Sequence, residues 1–241
     1  MKNYFKLVAS FLLLFTLSLT SFAKETLIVG TNAEFAPFEY MENGEIVGFD
    51  IELVKEIAKT LDIDIKFENM SFDGLLPALQ AKKIDIVVAG MTATPEREKF
   101  VNFTKNYFVA KQVLIVPDKT SSPTSLDQLK GKKVGVVLGY TGDLIVSKLN
   151  DIKSEKFNSP FAAIMALNSG KVDAVILDSA PAHSYVKKNK GLKIAEIETD
   201  EEKYSIAIRK NDPQLVEKFN IALEEIEKNG TYDKLIEKYF N

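Results

Sequence analysis

Two charged residues of opposite sign, at the ends of two similar stretches of chain, are where this sequence could do chemistry. The first stretch reads Ala89-Gly90-Met91-Thr92-Ala93-Thr94-Pro95-Glu96-Arg97. Gly90 permits close backbone approach, Thr92 offers a hydroxyl and an amide, and Arg97 falls in the first turn of a helix with Thr94 at its cap. A guanidinium grips a planar carboxylate through two parallel hydrogen bonds, although the same residue could be a surface arginine paired with Glu96 or Glu98. In the second stretch Asp178 follows the apolar run Ala174 to Leu177. It either caps the helix that begins at Ser179 or answers a cation. An amino acid carries both charges that this pair would satisfy, so the pair means more than either residue alone. A third segment, Leu138-Gly139-Tyr140-Thr141-Gly142-Asp143, lies between a strand and a helix, where unpaired amides can bind an anion such as a carboxylate. It lacks the glycine spacing of a dinucleotide fingerprint. Phe35 and Phe72, each placed in a loop after a strand, could wall a site or belong to the core.

The elements that must position these residues alternate strand with helix, the pattern of open, mostly parallel sheets in an α/β fold. Leu27-Ile28-Val29 reads as a strand, Phe38 to Gly48 as a hairpin turning at Asn43-Gly44, and Asp50 to Leu61 as a helix. In that helix Ile51, Val54, Ile57, Ala58 and Leu61 recur at helical spacing, with Glu52, Lys55, Glu56 and Lys59 opposite. A helix over Asp73 to Ala81 and an apolar strand over Ile84 to Ala89 lead to Gly90. After a strand at Lys111 to Val116 and a polar loop, the rhythm repeats: strand Val134 to Leu138, helix Gly142 to Leu149, helix Phe161 to Asn168, strand Val172 to Leu177 and helix Ala180 to Lys188. Tyr204 to Arg209 reads as one strand, and two helices close the chain. Leu79 to Gly90 echoes Leu167 to Asp178 in its helix end, basic turn, acidic strand start and apolar strand. Convergent βα grammar could produce the echo, as could two lobes built on one plan. Either way, ligands in open α/β sheets sit at the carboxyl ends of strands, which directs attention to Gly90 and Asp178.

Met1 to Ala23 has the make-up of a leader: Lys2 and Lys6, an apolar run from Leu7 to Leu19, and small residues at Ser21 and Ala23 before a cleavage point. The run is short for a membrane span. Its removal would take the formal charge from −3 to −5, which argues against nucleic acid as a partner. The chain has no cysteine and a single histidine, His183, on a predicted helix among Ser184, Lys187 and Lys188. Thiol catalysis is excluded, no cofactor is called for, and a metal role has little to rest on. With 46% apolar and 27% charged residues, an ordinary hydrophobic core must hold the protein together.

Taken in order, Gly30-Thr31-Asn32 with Phe35-Ala36-Pro37-Phe38-Glu39, Val47-Gly48-Phe49-Asp50-Ile51, Leu76-Pro77-Ala78-Leu79-Gln80, Asp85 to Thr92, Thr94-Pro95-Glu96-Arg97, Leu129 to Gly135 and Val172-Asp173-Ala174-Val175 closely resemble the bacterial periplasmic polar amino-acid-binding proteins of ATP-driven (ABC) importers, the solute-binding proteins of family 3. The resemblance spans nearly the whole chain after the leader. It implies a type II periplasmic-binding-protein fold, with residues 24–111 plus 207–241 forming one lobe, 112–206 the other, and a two-strand hinge near Lys111 to Val113 and Tyr204 to Ile206. It implies that Arg97 holds the α-carboxylate of a free L-amino acid, helped by amides at Thr92 and Thr141. Asp178, the Gly90 carbonyl and the Thr92 hydroxyl would hold the ammonium. Phe35 and Phe72 would sandwich the ligand side chain, Asn32 and Val137 would meet its far end, and Ala89 would complete the lining. A membrane permease is the implied partner, and the protein is expected to be a monomer. Relatives for basic ligands and for glutamine usually have Asp where this chain has Asn32. Asn32 suits a polar or amide-bearing side chain, Glu34 leaves arginine or lysine open, and acidic ligands are least favoured.

Fold does not fix function. The rival reading is an enzyme on the same fold, resembling cyclohexadienyl dehydratase, for which Glu34 is the extra acid near the expected site; that residue could equally be a solvated loop carboxylate. An exported adhesin or sensor module is a third reading.

Overall fold

A computed structural model describes residues 24–241, and the expected leader Met1 to Ala23 lies outside them. Two five-stranded sheets organise the chain. In the first, β5 (Asp64–Asn69), β1 (Thr26–Thr31), β6 (Ile86–Val87), β13 (Ala207–Arg209) and β7 (Val101–Phe103) lie side by side. The second runs β10 (Lys153–Phe157), β9 (Lys133–Val137), β11 (Ala174–Asp178), β8 (Phe108–Pro117) and β12 (Leu192–Tyr204). The two orders are equivalent: β1 and β9 each lie between parallel neighbours, and β6 and β11 each meet an antiparallel strand next. The echoed stretches occupy equivalent places, with Lys82 and Gly170 both in the left-handed conformation after their helices. A three-stranded meander of β2 (Glu34–Phe35), β3 (Glu39–Glu42) and β4 (Glu45–Val47) turns at Asn43-Gly44, as expected.

Helices α1 (Phe49–Thr60), α2 (Phe72–Gln80), α3 (Pro95–Glu98), α7 (Pro213–Lys228) and α8 (Thr231–Phe240) accompany the first sheet, while α4 (Thr141–Val146), α5 (Pro160–Asn168) and α6 (Ser179–Lys188) accompany the second. The apolar stripe of α1 is buried through Ile51, Leu53, Val54, Ile57 and Ala58, and Lys55 and Lys59 face outward, while Asp50 in its first turn is buried. Starts are set by side-chain caps: Thr94 accepts from the Arg97 amide with Pro95 following, and Asp212 accepts from the Leu215 amide with Pro213 following.

Several boundaries differ from the sequence expectation for local reasons. The strand expected over Ile84 to Ala89 shrinks to Ile86–Val87, because Asp85 accepts from the Ile28 amide through its side chain and Gly90 turns the chain at φ +49°. Phe72 opens α2 and Phe35 ends β2, so neither is a loop residue. The helix expected from Gly142 to Leu149 is Thr141–Val146. Tyr204 to Arg209 is two strands in different sheets. Between them the Ser205 amide bonds to the Met91 carbonyl and the Ile206 amide to the Thr104 hydroxyl, which redirects the chain from one lobe to the other.

The chain enters the second sheet through β8 and leaves it through β12; these two strands, which carry the crossings between lobes at their ends, pair antiparallel with a register shift between Glu196 and Glu201. Beneath the crossing, Phe38, Phe49, Phe108, Tyr204 and Phe240 pack ring against ring; Phe108 lies 4.8 Å from Phe240 and 4.8 Å from Phe38. Such pairs add about 0.5–1.5 kcal/mol each beyond their burial. The cluster anchors the C-terminal helix on the crossing strands.

Candidate ligand-binding site

The carboxyl ends of β6 and β11 face each other across the two lobes, and the charged residues of the sequence analysis meet there. Arg97 is 7% exposed although it sits on a four-residue helix. Its Nη1 donates to the Thr92 carbonyl at 2.7 Å and its Nη2 to the Gly139 carbonyl of the other lobe at 2.9 Å, and the guanidinium lies 5.2 Å from the Phe72 ring centre. The surface reading with Glu96 or Glu98 is therefore wrong: Glu96 pairs with Lys148 instead. Burial lowers the Arg97 pKa to about 10, against the pull of Glu202 and Asp178, so it stays charged at neutral pH.

Asp178 stands at the N-cap of α6 without making a side-chain cap bond. Its Oδ1 accepts from the Tyr204 hydroxyl at 2.7 Å, and it is 3% exposed. Burial, then the neighbouring Glu202 carboxylate, raises its pKa to about 7. The helix-cap alternative fails on this geometry, and a buried carboxylate aimed into the cleft is what remains.

Glu202 and Tyr204 project from the same face of β12, two residues apart. Glu202 is 6% exposed; its Oε2 accepts from the Thr92 hydroxyl at 2.6 Å and its Oε1 from Gln112 Nε2 at 3.4 Å. Gln112 Nε2 also donates to the Thr141 hydroxyl at 3.1 Å. One network thus joins Thr92 of the first lobe, Gln112 and Glu202 of the crossing strands, and Thr141 of the second lobe. Removing two carboxylates and a guanidinium from water is costly, and a buried charge persists only where a partner meets it.

Behind the cleft, the Gly90 amide donates to Asp50 Oδ2 at 2.8 Å, and that oxygen also accepts from the Tyr107 hydroxyl at 2.7 Å. A Cβ at Gly90 would fall 2.6 Å from the Phe35 ring, in a left-handed conformation that disfavours side chains. Glu39 and Asp50 are fully buried side by side; burial, then the Asp50 charge, holds the Glu39 carboxyl well above the usual range, and burial raises Asp50 to about 6.

Of the expected set, Asn32, Phe35, Phe72, Gly90, Thr92, Arg97, Thr141 and Asp178 converge. Ala89 and Val137 are buried among core side chains, where Val137 contributes its carbonyl to the Tyr140 amide. Sequence reasoning did not name Glu202 or Gln112, placed Tyr204 in the hinge rather than the site, and treated Tyr140 only as part of the anion-binding loop. The two-residue spacing of Glu202 and Tyr204 on a strand crossing the lobes was the available signal. Glu34 is exposed, with its carbonyl accepting from the Tyr185 hydroxyl of the other lobe, and His183 is exposed on α6. Among the described residues no group of three or more His, Cys, Asp or Glu is arranged to hold a metal ion, and no helix is long and apolar enough to cross a membrane.

Two α/β lobes of like topology, joined by crossing strands and closed on a cluster of opposed charges, define a bilobal binding protein. The family model of the bacterial extracellular solute-binding proteins, family 3, matches residues 27–241, and the chain belongs to that family. It is similar to an arginine-binding extracellular protein of Bacillus subtilis (strain 168), 41% identical over 90% of this chain and 87% of the relative. Among solved structures, an ancestral arginine-binding protein bound to arginine superposes with a TM-score of 0.87 at 50% identity over 90% of this chain and 99% of that one. An ancestral arginine-binding protein bound to glutamine gives 0.86 at 50% identity, with 90% and 98% covered. An ancestral amino-acid-binding protein, a precursor of cyclohexadienyl dehydratase, gives 0.83 at 38% identity, with 90% and 96% covered.

Proposed function

We propose that this protein is the extracytoplasmic capture component of an ABC importer for a free polar L-amino acid, with a guanidinium or amide side chain and arginine foremost. The observation that carries this reading is the buried Arg97 opposed by Asp178 and Glu202 between the lobes. Arg97 takes the α-carboxylate, and Asp178 with Thr92 takes the ammonium. Two acids against one guanidinium leave the cluster with a negative balance when both are ionised, which a ligand carrying an extra positive charge offsets. The aromatic faces of Phe35 and Phe72 suit a planar cation, and Asn32 supplies a hydrogen-bonding tip.

Because the ligand touches both lobes only when they are closed, binding favours the closed state. The lobes, divided at 111/112 and 206/207, turn about β8 and β12, and the closed surface is what a permease distinguishes. The chain is exported, with its leader removed after Ala23. Relatives named as binding proteins, together with the exposure of Glu34, support capture without turnover.

Calorimetry of the mature chain against the common amino acids tests the reading. Saturable binding of arginine or another polar amino acid, with no product formed and with loss in Arg97→Ala, is the expected result. Turnover of a cyclic acid, or no binding of any amino acid, overturns it.

A further inference from the structure

The space between Phe35 and Phe72 is filled by a side chain of the opposite lobe. The Tyr140 ring centre lies 4.5 Å from that of Phe72 and 5.4 Å from that of Phe35, meeting the latter edge-on at 84°. Tyr140 is 5% exposed. Its hydroxyl donates to Asn32 Oδ1 at 2.9 Å, while Asn32 Nδ2 donates to the Met70 carbonyl at 3.0 Å, so the amide is held with its acceptor toward the ring. One residue earlier, the Gly139 carbonyl accepts from Arg97 Nη2. Consecutive residues of one loop therefore offer an oxygen to the arginine and a planar ring to the aromatic slot. These are the places that the carboxylate and side chain of an amino acid take in the function proposed above.

Ordinary interlobe packing would also bury a tyrosine, but it would not require that the ring's polar and aromatic partners be Asn32, Phe35 and Phe72. Tyr140 is also the N-cap of α4 and makes no side-chain cap bond there, so its own helix does not account for the residue type. Within its own lobe the loop is held by the Leu138 amide on the Phe157 carbonyl, the Gly139 amide on Asp143 Oδ2 and the Tyr140 amide on the Val137 carbonyl, so the ring leaves the slot by rotation of its side chain or by parting of the lobes.

We propose that Tyr140 is a specificity-determining residue, a tethered competitor for the slot that any amino acid with a long side chain must displace. The proposal rests on the capture reading and deepens it by stating what the site selects for. A successful side chain must replace both the ring contacts with Phe35 and Phe72 and the hydrogen bond donated to Asn32 Oδ1. A guanidinium does both, a carboxamide donates without the charge, and an aliphatic chain supplies no donor. A short side chain leaves Tyr140 in place and uses it as a wall. For long ligands the apparent affinity is reduced by the fraction of molecules in which the slot is open.

The test compares wild type, Tyr140→Ser and Tyr140→Phe. Serine is a good N-cap, so the first variant is expected to fold. Calorimetry with L-arginine and L-serine should show arginine binding strengthened on the order of tenfold in Tyr140→Ser while serine binding stays level or weakens. Tyr140→Phe keeps the ring and loses one hydrogen bond, so its arginine gain is smaller, roughly fivefold. The chain has no cysteine, so labels at Glu68→Cys and Lys187→Cys, exposed positions on the two lobes, report the interlobe distance. Without added amino acid, wild type should show the short distance and Tyr140→Ser a longer one. Arginine and serine affinities that shift together, or equal distances in the two proteins alongside normal arginine binding, overturn the proposal. Absence of any binding by wild type overturns the capture reading and the selection claim with it, whereas the distance measurement needs no ligand and decides separately whether Tyr140 holds the lobes.

Discussion

Binding should release a proton, and Asp178 should be its source. With its carboxyl at about 7, this residue is about nine-tenths ionised near pH 8 and about 3% ionised near pH 5.5, so an ammonium that needs the carboxylate loses roughly thirtyfold in apparent affinity over that range. That ratio corresponds to about 2 kcal/mol. The ligand's ammonium stays protonated throughout. The groups acting on Asp178 are Glu202 and Tyr204 from β12, Arg97 from α3 and Glu39 from the meander; tyrosine and arginine do not titrate in this range. Calorimetry in buffers of different ionisation enthalpy reads the proton directly, and close to one should appear per ligand near pH 6. Glu202→Gln removes a charge that raises the Asp178 pKa and should move the midpoint to lower pH. Stability without ligand runs the other way: a carboxyl raised above its unfolded value of 3.8 contributes fully below that pH, and its contribution is lost as pH rises through about 7. Affinity independent of pH across this window, or the same dependence in Asp178→Asn, would refute the reasoning.

Arg97→Lys keeps the charge but cannot span the Thr92 and Gly139 carbonyls as the guanidinium does, and arginine should bind about 10- to 100-fold more weakly by calorimetry. Gly90→Ala forces a side chain into the left-handed region against Phe35, which should cost ~1–3 kcal/mol in urea unfolding and weaken ligand binding. Glu39→Gln replaces a buried acid whose pKa is raised well above normal; relative to wild type it should gain roughly 1 kcal/mol or more in unfolding free energy as the pH goes from about 5 to about 8. An unchanged difference between the two proteins at both pH values would show that the folded state does not raise the Glu39 pKa above its unfolded value.

Much of the fold was legible because burial writes itself into local patterns. The stripe of α1, the Thr94-Pro95 start and the Asn43-Gly44 turn depend on neighbours a few residues away, and each was realised. The shortened β6 and the break at Ser205 were not legible, since both depend on hydrogen bonds to Ile28, Met91 and Thr104, which are remote in sequence.

By itself the sequence determined the strand–helix alternation and the two echoed stretches, and offered Arg97 and Asp178 as a complementary pair, because side-chain chemistry and hydrophobic period are local properties; the family was legible as a resemblance of motifs in order along the chain. Tertiary structure alone decided that Arg97 is buried rather than on the surface, that Asp178 faces the cleft rather than capping its helix, and that Glu202 raises its pKa. It also placed Tyr140 between Phe35 and Phe72. Burial and electrostatic coupling are set by what the rest of the chain brings near a residue, and for these residues the decisive partners arrive from the opposite lobe or from the strands that cross between lobes.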